Sequence, residues 1–395
     1  MESPSRLVRS FSSDDSDFSP PPPPPPPPRP QSSPEMMDVF MAAQDHQDST
    51  SHATSLQPGD KPTLEIVEMN VFNFLVALAA RHPRPTLHCE LLDGGHKVAL
   101  SQRSSQRFPM LLRTLAEVHS LLLTNRFSTK RDLFYQNKSL YGSQANLDRC
   151  ITDICQLIEQ PRHSLHVLST AKGLVVGDLK WSQSDGSETD CSGGLVSIPN
   201  TSHLITSLYS KANFILVVEK DASFQKLIDE QITTKFGPCI MITGKGYPDI
   251  NTRYLLKMLV DRLKIAAFVF VDADPHGIEI ALTYKYGPKR ETFENRHLAV
   301  PSLQWIGLFR SEADRLPLAH DQYLRLTDTE FAKIGKLKQR AEAIGDLLVT
   351  KELCVLERSG TKLEIEAVSG LRPAFLTDCY LPEKLDSVDL RSLTT

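Results

Sequence analysis

The sequence predicts an acidic, proline-rich tail over residues 1–62, an α+β winged-helix unit over 63–205 and an α/β unit on a parallel sheet over 206–395. Three observations carry that reading. Between 111 and 158 two sets of apolar residues recur at helical spacing, and two short apolar segments then flank Lys172-Gly173. Between 213 and 271 three unbroken apolar runs, NFILVV, CIMIT and AAFVFV, alternate with helical patterns. Before residue 60 neither pattern exists, and Pro20 to Pro28 is an uninterrupted proline run.

The elements follow in order. The proline run favours extended polyproline II and supplies no ladder hydrogen bonds, so it reads as a spacer. LEIVEMNVFNFLVALAARH reads as a helix, and Pro109 is expected to open the next at its favoured first position. Leu111, Leu115, Val118 and Leu122 share one face of that helix. Thr129-x-x-Asp132 has the spacing of a capping box, which starts a short helix through Tyr135. After the turn YGSQ, Leu147, Ile151, Ile154 and Ile158 mark another helix. HSLHVLS and GLVVGDLKW are expected to pair as a wing with Lys172 at its tip. Three helices and a hairpin describe a winged helix, whose third helix usually enters the DNA major groove. In the α/β unit, continuous apolar runs suit strands covered on both faces. Their alternation with helices means parallel pairing with right-handed crossovers. Leu303 to Gly307 is expected to add a strand, and the remainder to be mostly helical.

Composition narrows the function classes. No run of about 18 apolar residues is present, so no membrane helix is expected. The N-terminus lacks the apolar segment of a secretory signal. Seven scattered cysteines without a CxxC pair suit a reduced intracellular compartment, with neither disulfides nor a zinc module. The net charge of −4 is unevenly spread: residues 1–60 hold nine acids against three arginines, whereas 97–138 hold eight basic residues against Glu117 and Asp132. That basic field could draw in a polyanion, or could be a solvated surface.

The chemistry lies at the strand ends. Ligands of parallel α/β sheets gather beyond the carboxyl ends of the strands. Glu219 follows the first run; Asp272 and Asp274 follow the third, two residues apart, so an extended backbone points both the same way. Carboxylates without a neighbouring His or Cys cluster favour Mg²⁺, although acids at strand ends also cap helices. Lys220 and Asp221 read as surface or salt-bridge residues, and His276 as a group behind the acids or a helix-start residue. Gly244-Lys245-Gly246 is no phosphate loop of the Walker type, because Cys239 and Gly246 stand where Gly and Ser or Thr are required.

The motifs RDLFYQN, YGSQ, STAKGLVVG, EKDA, GKGYPD, NTR and VDADPHG, in that order, resemble one family: the eukaryotic meiotic double-strand-break transesterases, relatives of the A subunit of type IIB topoisomerase VI. The likeness runs from about 108 to 310 and extends more weakly, through YLPEKL, to about 385. It implies a winged-helix domain with a nucleophilic tyrosine and a Toprim domain holding Mg²⁺. Carried onto this sequence, Tyr135 is the nucleophile and Glu219, Asp272 and Asp274 are the metal ligands. The family often has Tyr-Tyr where this chain has Phe134-Tyr135. The resemblance further implies double-stranded DNA as substrate, a homodimer in which one protomer's tyrosine meets the other's metal site, a topoisomerase VI B-like subunit, and work on meiotic chromosomes in the nucleus.

A free tyrosine ionises near pH 10, so about one in a thousand is phenolate near neutrality. Arg131, one helical turn before Tyr135, could favour phenolate and grip a phosphate in two places. Lys172 and Arg253 are candidate phosphate contacts or surface salt bridges. Two alternative functions stand beside double-strand-break formation: the A subunit of a resealing topoisomerase VI, working with an ATPase partner, and a non-catalytic DNA-binding scaffold.

Overall fold

The computed structural model describes residues 60–79, 86–88, 97–99, 106–289 and 297–387, so nearly all of the expected tail lies outside the described residues. The chain begins with helix α1 (Asp60–Ala79) and the antiparallel pair β1 (Thr86–His88) and β2 (Lys97–Ala99). Helix α2 spans Arg107–Leu123, starting two residues before the Pro109 start that the sequence suggested. Pro109 remains within the first turn, where its missing N–H costs no intrahelical bond.

Strand β3 (Ser128–Thr129) leads into α3 (Lys130–Gln136), the short α4 (Lys138–Tyr141) and α5 (Gln144–Leu157). Thr129 starts α3 with the expected capping box: its hydroxyl accepts the Asp132 N–H, and the Asp132 carboxylate accepts the Thr129 N–H. Leu111, Leu115, Val118 and Leu122 of α2 pack against Leu133, Tyr141, Leu147, Ile151, Ile154 and Ile158 in one core. Each fully buried Leu or Ile there contributes about 1.5–3 kcal/mol of hydrophobic stabilisation.

The expected wing does not form. Strand β4 (Val167–Leu168) pairs in parallel with β3, while β5 (Leu174–Gly177) pairs antiparallel with a strand of the central sheet. The reason lies in β5 itself. Successive strand residues face opposite sides, yet Val175 and Val176 are both buried, so this strand needs cover on both faces. An outlying hairpin cannot supply that.

Strands β6 (Lys180–Gln183), β7 (Glu188–Asp190) and β9 (Ile205–Tyr209) form a separate three-stranded sheet in the order β7-β6-β9. Strand β8 (Val196–Ser197) pairs with β5. The boundary expected at 205/206 therefore does not divide two sheets.

The central six-stranded sheet runs β13-β12-β10-β11-β5-β8. Its parallel strands are β10 (Phe214–Val218), β11 (Cys239–Thr243), β12 (Ala266–Phe270) and β13 (Gln304–Gly307), as the apolar runs predicted. They alternate with α6 (Asp221–Asp229), α7 (Ile232–Lys235), α8 (Ile250–Leu263) and α9 (Pro275–Tyr286). Ile215, Val217, Ile240, Ile242 and Val269 pack on one face with α8 and α9. Leu216, Val218, Met241, Phe268 and Phe270 pack on the other with α6 and the C-terminal segment.

The C-terminal region is helical: α10 (Asp328–Ile344) and α11 (Leu347–Ser359), then α12 (Ile365–Ser369) and α13 (Leu381–Ser387). Between α11 and α12, β15 (Thr361–Lys362) pairs with β14 (Leu324–Arg325), and Leu363 bridges Ala273. This brings residues 361–366 to the carboxyl end of β12. Cys150, Cys155, Cys191, Cys239, Cys354 and Cys379 form no disulfide among the described residues. No described helix is long and apolar enough to cross a membrane.

Candidate functional site

Chain order places β11 on one side of β10 and β12 on the other. The connection therefore reverses between β10 and β12, and such a reversal opens a crevice at the strands' carboxyl ends. Glu219 follows β10 and Asp272 follows β12, so both stand at that crevice. They are 7% and 3% exposed. Glu219 Oε2 accepts the Asp272 N–H at 2.9 Å. Asp272 Oδ1 accepts the Ile365 N–H at 2.8 Å, and its Oδ2 meets the Lys220 ammonium at 2.9 Å. Asp274 Oδ1 caps α9 by accepting the Gly277 N–H at 2.6 Å. Gly277 must be this small, because a Cβ there would stand 2.4 Å from the Asp272 carbonyl and 3.0 Å from Glu219 Oε2.

Burial, followed by the Asp272 charge, raises the Glu219 carboxyl well above its ordinary range. Asp272 is raised as well, chiefly by burial. Two buried carboxylates that resist ionisation are a donor set that a hard divalent cation would relieve. Among the described residues, however, no three His, Cys, Asp or Glu side chains stand in metal-holding geometry. Lys220 pairs with Asp272 Oδ2, and Asp274 Oδ1 caps α9. The residues suit such a cation in chemistry, with Lys220 in the way.

The C-terminal region, whose sequence signals were weak, frames this crevice. Lys220 also reaches Glu364 and Glu366, each at 3.2 Å. Tyr247, from GKGYPD, donates its hydroxyl to Glu279 and receives the Lys333 ammonium at 2.7 Å. His276 Nδ1 lies 2.9 Å from Lys333 Nζ and has no hydrogen bond to the three acids among the described residues. Lys333 lies on α10, and nothing in its local sequence marked it for the site.

Tyr135 stands apart. It is 62% exposed on α3, with Phe134 at 5.5 Å between ring centroids. Phe134 packs on the helical core while Tyr135 faces out. Arg131, one turn before it, is also exposed. No hydrogen bond or ion pair among the described residues links Tyr135 or Arg131 to Glu219, Asp272 or Asp274. The surrounding basic field is partly neutralised, since Arg107, Arg113 and Lys130 pair with Asp153, Glu117 and Asp148. Arg126, Arg131 and Lys138 remain exposed, with no ion pair among the described residues.

Of the two candidate phosphate contacts, Lys172 is exposed but on a loop rather than at a wing tip, and Arg253 is buried. The Lys172 backbone N–H donates to Asp249 at 3.0 Å and its ammonium to the Lys245 carbonyl at 3.3 Å. It therefore rests on the loop after β11. Arg253 is 3% exposed, on the face of α8 that packs inward, so its guanidinium is not presented to a phosphate backbone.

A family model for the Toprim domain of the topoisomerase 6 A-subunit/Spo11 group matches residues 214–385, and one described as type IIB DNA topoisomerase matches 106–167. The chain is 41% identical over 287 residues to meiotic recombination protein SPO11 of Homo sapiens, covering 72% of each. It is 39% identical over 278 residues to meiotic recombination protein spo-11 of Caenorhabditis elegans, covering 70% of this chain and 65% of that one. It is 35% identical over 297 residues to the A3 subunit of DNA topoisomerase 6 of Oryza sativa subsp. indica, covering 72% of this chain and 65% of that one. Identity of 41% over 72% of both chains, together with the two matched family models, shows that the chain belongs to the topoisomerase 6 A-subunit/SPO11 family.

Proposed function

We propose that this protein makes meiotic DNA double-strand breaks by transesterification through Tyr135 and so initiates homologous recombination. The Tyr135 oxygen, having given up its proton, attacks a backbone phosphorus. The tyrosyl O–P bond forms, the P–O3′ bond breaks, and the 3′ oxygen takes up a proton. Each broken strand is left joined to protein through its 5′ phosphate. Arg131 lies on the same helical face, where its guanidinium can favour the phenolate and hold the phosphate. Glu219, Asp272 and Asp274 would hold Mg²⁺. Once bound, the ion would supply positive charge beside the phosphate and the departing oxygen.

The observation that carries this reading is the buried Glu219–Asp272 pair at the switch point, 2.9 Å from carboxylate to N–H. Tyr135 makes no hydrogen bond or ion pair to those acids among the described residues, which fits a homodimer in which each site combines two protomers. A topoisomerase VI B-like subunit, double-stranded DNA and a nuclear location complete the proposal. The deciding experiment incubates the protein and its B-like partner with end-labelled duplex DNA and Mg²⁺. Protein covalently attached to 5′ ends is expected from wild type and not from Tyr135→Phe. An adduct formed by Tyr135→Phe would overturn the assignment.

A second reading, a non-catalytic DNA-binding scaffold, has one observation in its favour: Lys220 already neutralises Asp272. Mg²⁺ should then leave DNA affinity unchanged, whereas a working centre should tighten DNA binding in wild type and not in Glu219→Ala. Resealing is judged separately, by relaxation of supercoiled DNA with an ATPase partner.

A further inference from the structure

Lys220 holds a position that neither a surface lysine nor a simple structural salt bridge requires. It directly precedes α6, so its backbone is fixed at the end of β10, beside Glu219. Its ammonium lies between two sets of carboxylates: Asp272 Oδ2 at 2.9 Å on the buried side, and Glu364 Oε2 and Glu366 Oε2 at 3.2 Å each on the exposed side. Ser223 Oγ donates to the second oxygen of Glu366 at 3.3 Å, which keeps that carboxylate turned toward the lysine.

The other groups on the three acids differ in kind. Glu219 Oε2, Asp272 Oδ1 and Asp274 Oδ1 accept neutral backbone N–H groups. Such a bond leaves lone pairs for a cation. Asp272 Oδ2 instead faces a full positive charge. An ammonium and a divalent cation at one carboxylate oxygen repel strongly in a buried site. The lysine need not leave the protein to make room, because Glu364 and Glu366 already touch it.

We propose that Lys220 is a positioning residue that pairs with Asp272, Glu364 and Glu366 together in the metal-free protein and gives up Asp272, keeping Glu364 and Glu366, when a divalent cation binds. It thereby sets the affinity of the centre and holds the acids apart from unwanted ions until the site is loaded. This rests on the reading of Glu219, Asp272 and Asp274 as the cation's ligands.

The test uses the full chain without DNA and titrates Mn²⁺, following free ion by electron paramagnetic resonance. Lys220→Met should bind Mn²⁺ about tenfold more tightly than wild type, the usual size of a coupling between neighbouring sites. Lys220→Arg, which keeps the charge, should stay close to wild type. Glu366→Gln should weaken binding in the wild-type background and have no effect in Lys220→Met, a non-additivity that bulk electrostatics would not produce. Should Lys220→Met fail to fold, Glu366→Gln and Lys220→Arg still carry the test, and an unchanged Mn²⁺ affinity in Glu366→Gln overturns the proposal. Binding in Lys220→Met no tighter than wild type also overturns it, while leaving the metal centre standing. Absence of Mn²⁺ binding in wild type and all variants would remove the centre itself.

Discussion

Glu219 Oε2 accepts the backbone N–H of Asp272 at 2.9 Å, which ties together the ends of two adjacent parallel strands at the point where chain order reverses. That bond fixes one acid against the other. Glu219 and Asp272 are 53 residues apart in the chain, yet the register of β10 on β12 brings them side by side.

Tyr135 and Tyr141 should separate cleanly. Tyr135→Phe is expected to abolish the covalent DNA adduct without changing the melting temperature, because the side chain is exposed. Tyr141 is buried and its hydroxyl lies 3.0 Å from Thr114 Oγ1. Tyr141→Phe should therefore keep the adduct and lose about 1 kcal/mol of stability. Denaturant melts and gel assays of labelled DNA measure both.

A composite dimer site makes a mixing prediction. Tyr135→Phe and Glu219→Gln should each be inactive alone. In a mixed dimer, the tyrosine of one protomer meets the acids of the other in one of the two sites. Single-strand nicks with a 5′ protein adduct are then expected and double-strand breaks are not. Absence of nicking in the mixture would show that each protomer must complete its own site.

In the metal-free protein, Glu219 and Asp272 should contribute less stability as pH rises, while His163 and His203, lowered to about 4 by burial, act in the opposite direction. Burial raises the Glu219 and Asp272 carboxyls, so the folded state retains protons that the unfolded chain has released. Their contribution is then fullest below the ordinary carboxylate range and declines as pH passes through the raised folded values. Saturating Mg²⁺ should flatten this decline by favouring the ionised acids. Melting temperatures against pH for wild type and Glu219→Gln, with and without Mg²⁺, decide it, since the histidines act equally in both proteins; a difference between the two that does not change with pH would contradict it.

Gly277→Ala should damage the centre through space alone. The new methyl would meet the Asp272 carbonyl at 2.4 Å and both the Asp272 nitrogen and Glu219 Oε2 at 3.0 Å. Overpacking of this kind costs about 1–3 kcal/mol. The expected result is a lower melting temperature together with weaker Mn²⁺ binding, with Tyr135 left untouched.

Thr129→Ala removes the hydroxyl half of the capping box that starts α3. A lost N-cap of this type costs about 1 kcal/mol. Because Tyr135 lies on that helix, slower adduct formation is expected with little change in Mn²⁺ affinity. An equal loss of Mn²⁺ affinity would place α3 within the metal centre instead.

Features that depend on short-range pattern were legible before the fold was known. Continuous apolar runs specified β10, β11 and β12, helical spacing specified α2 and α5, and Thr129-x-x-Asp132 specified the start of α3. The acids Glu219, Asp272 and Asp274 were legible because each follows a recognisable strand. Partners distant in sequence emerged from the folded chain. It moved β5 from an expected wing into the central sheet, since both its faces are apolar. It buried Arg253 and seated Lys172 on the β11 loop. It also brought Lys333, Glu364 and Glu366 from the C-terminal region to the crevice, and set Lys220 between Asp272 and those glutamates. None of these has a local signature: a charged side chain reads as solvated surface until the fold shows which opposite charge it faces.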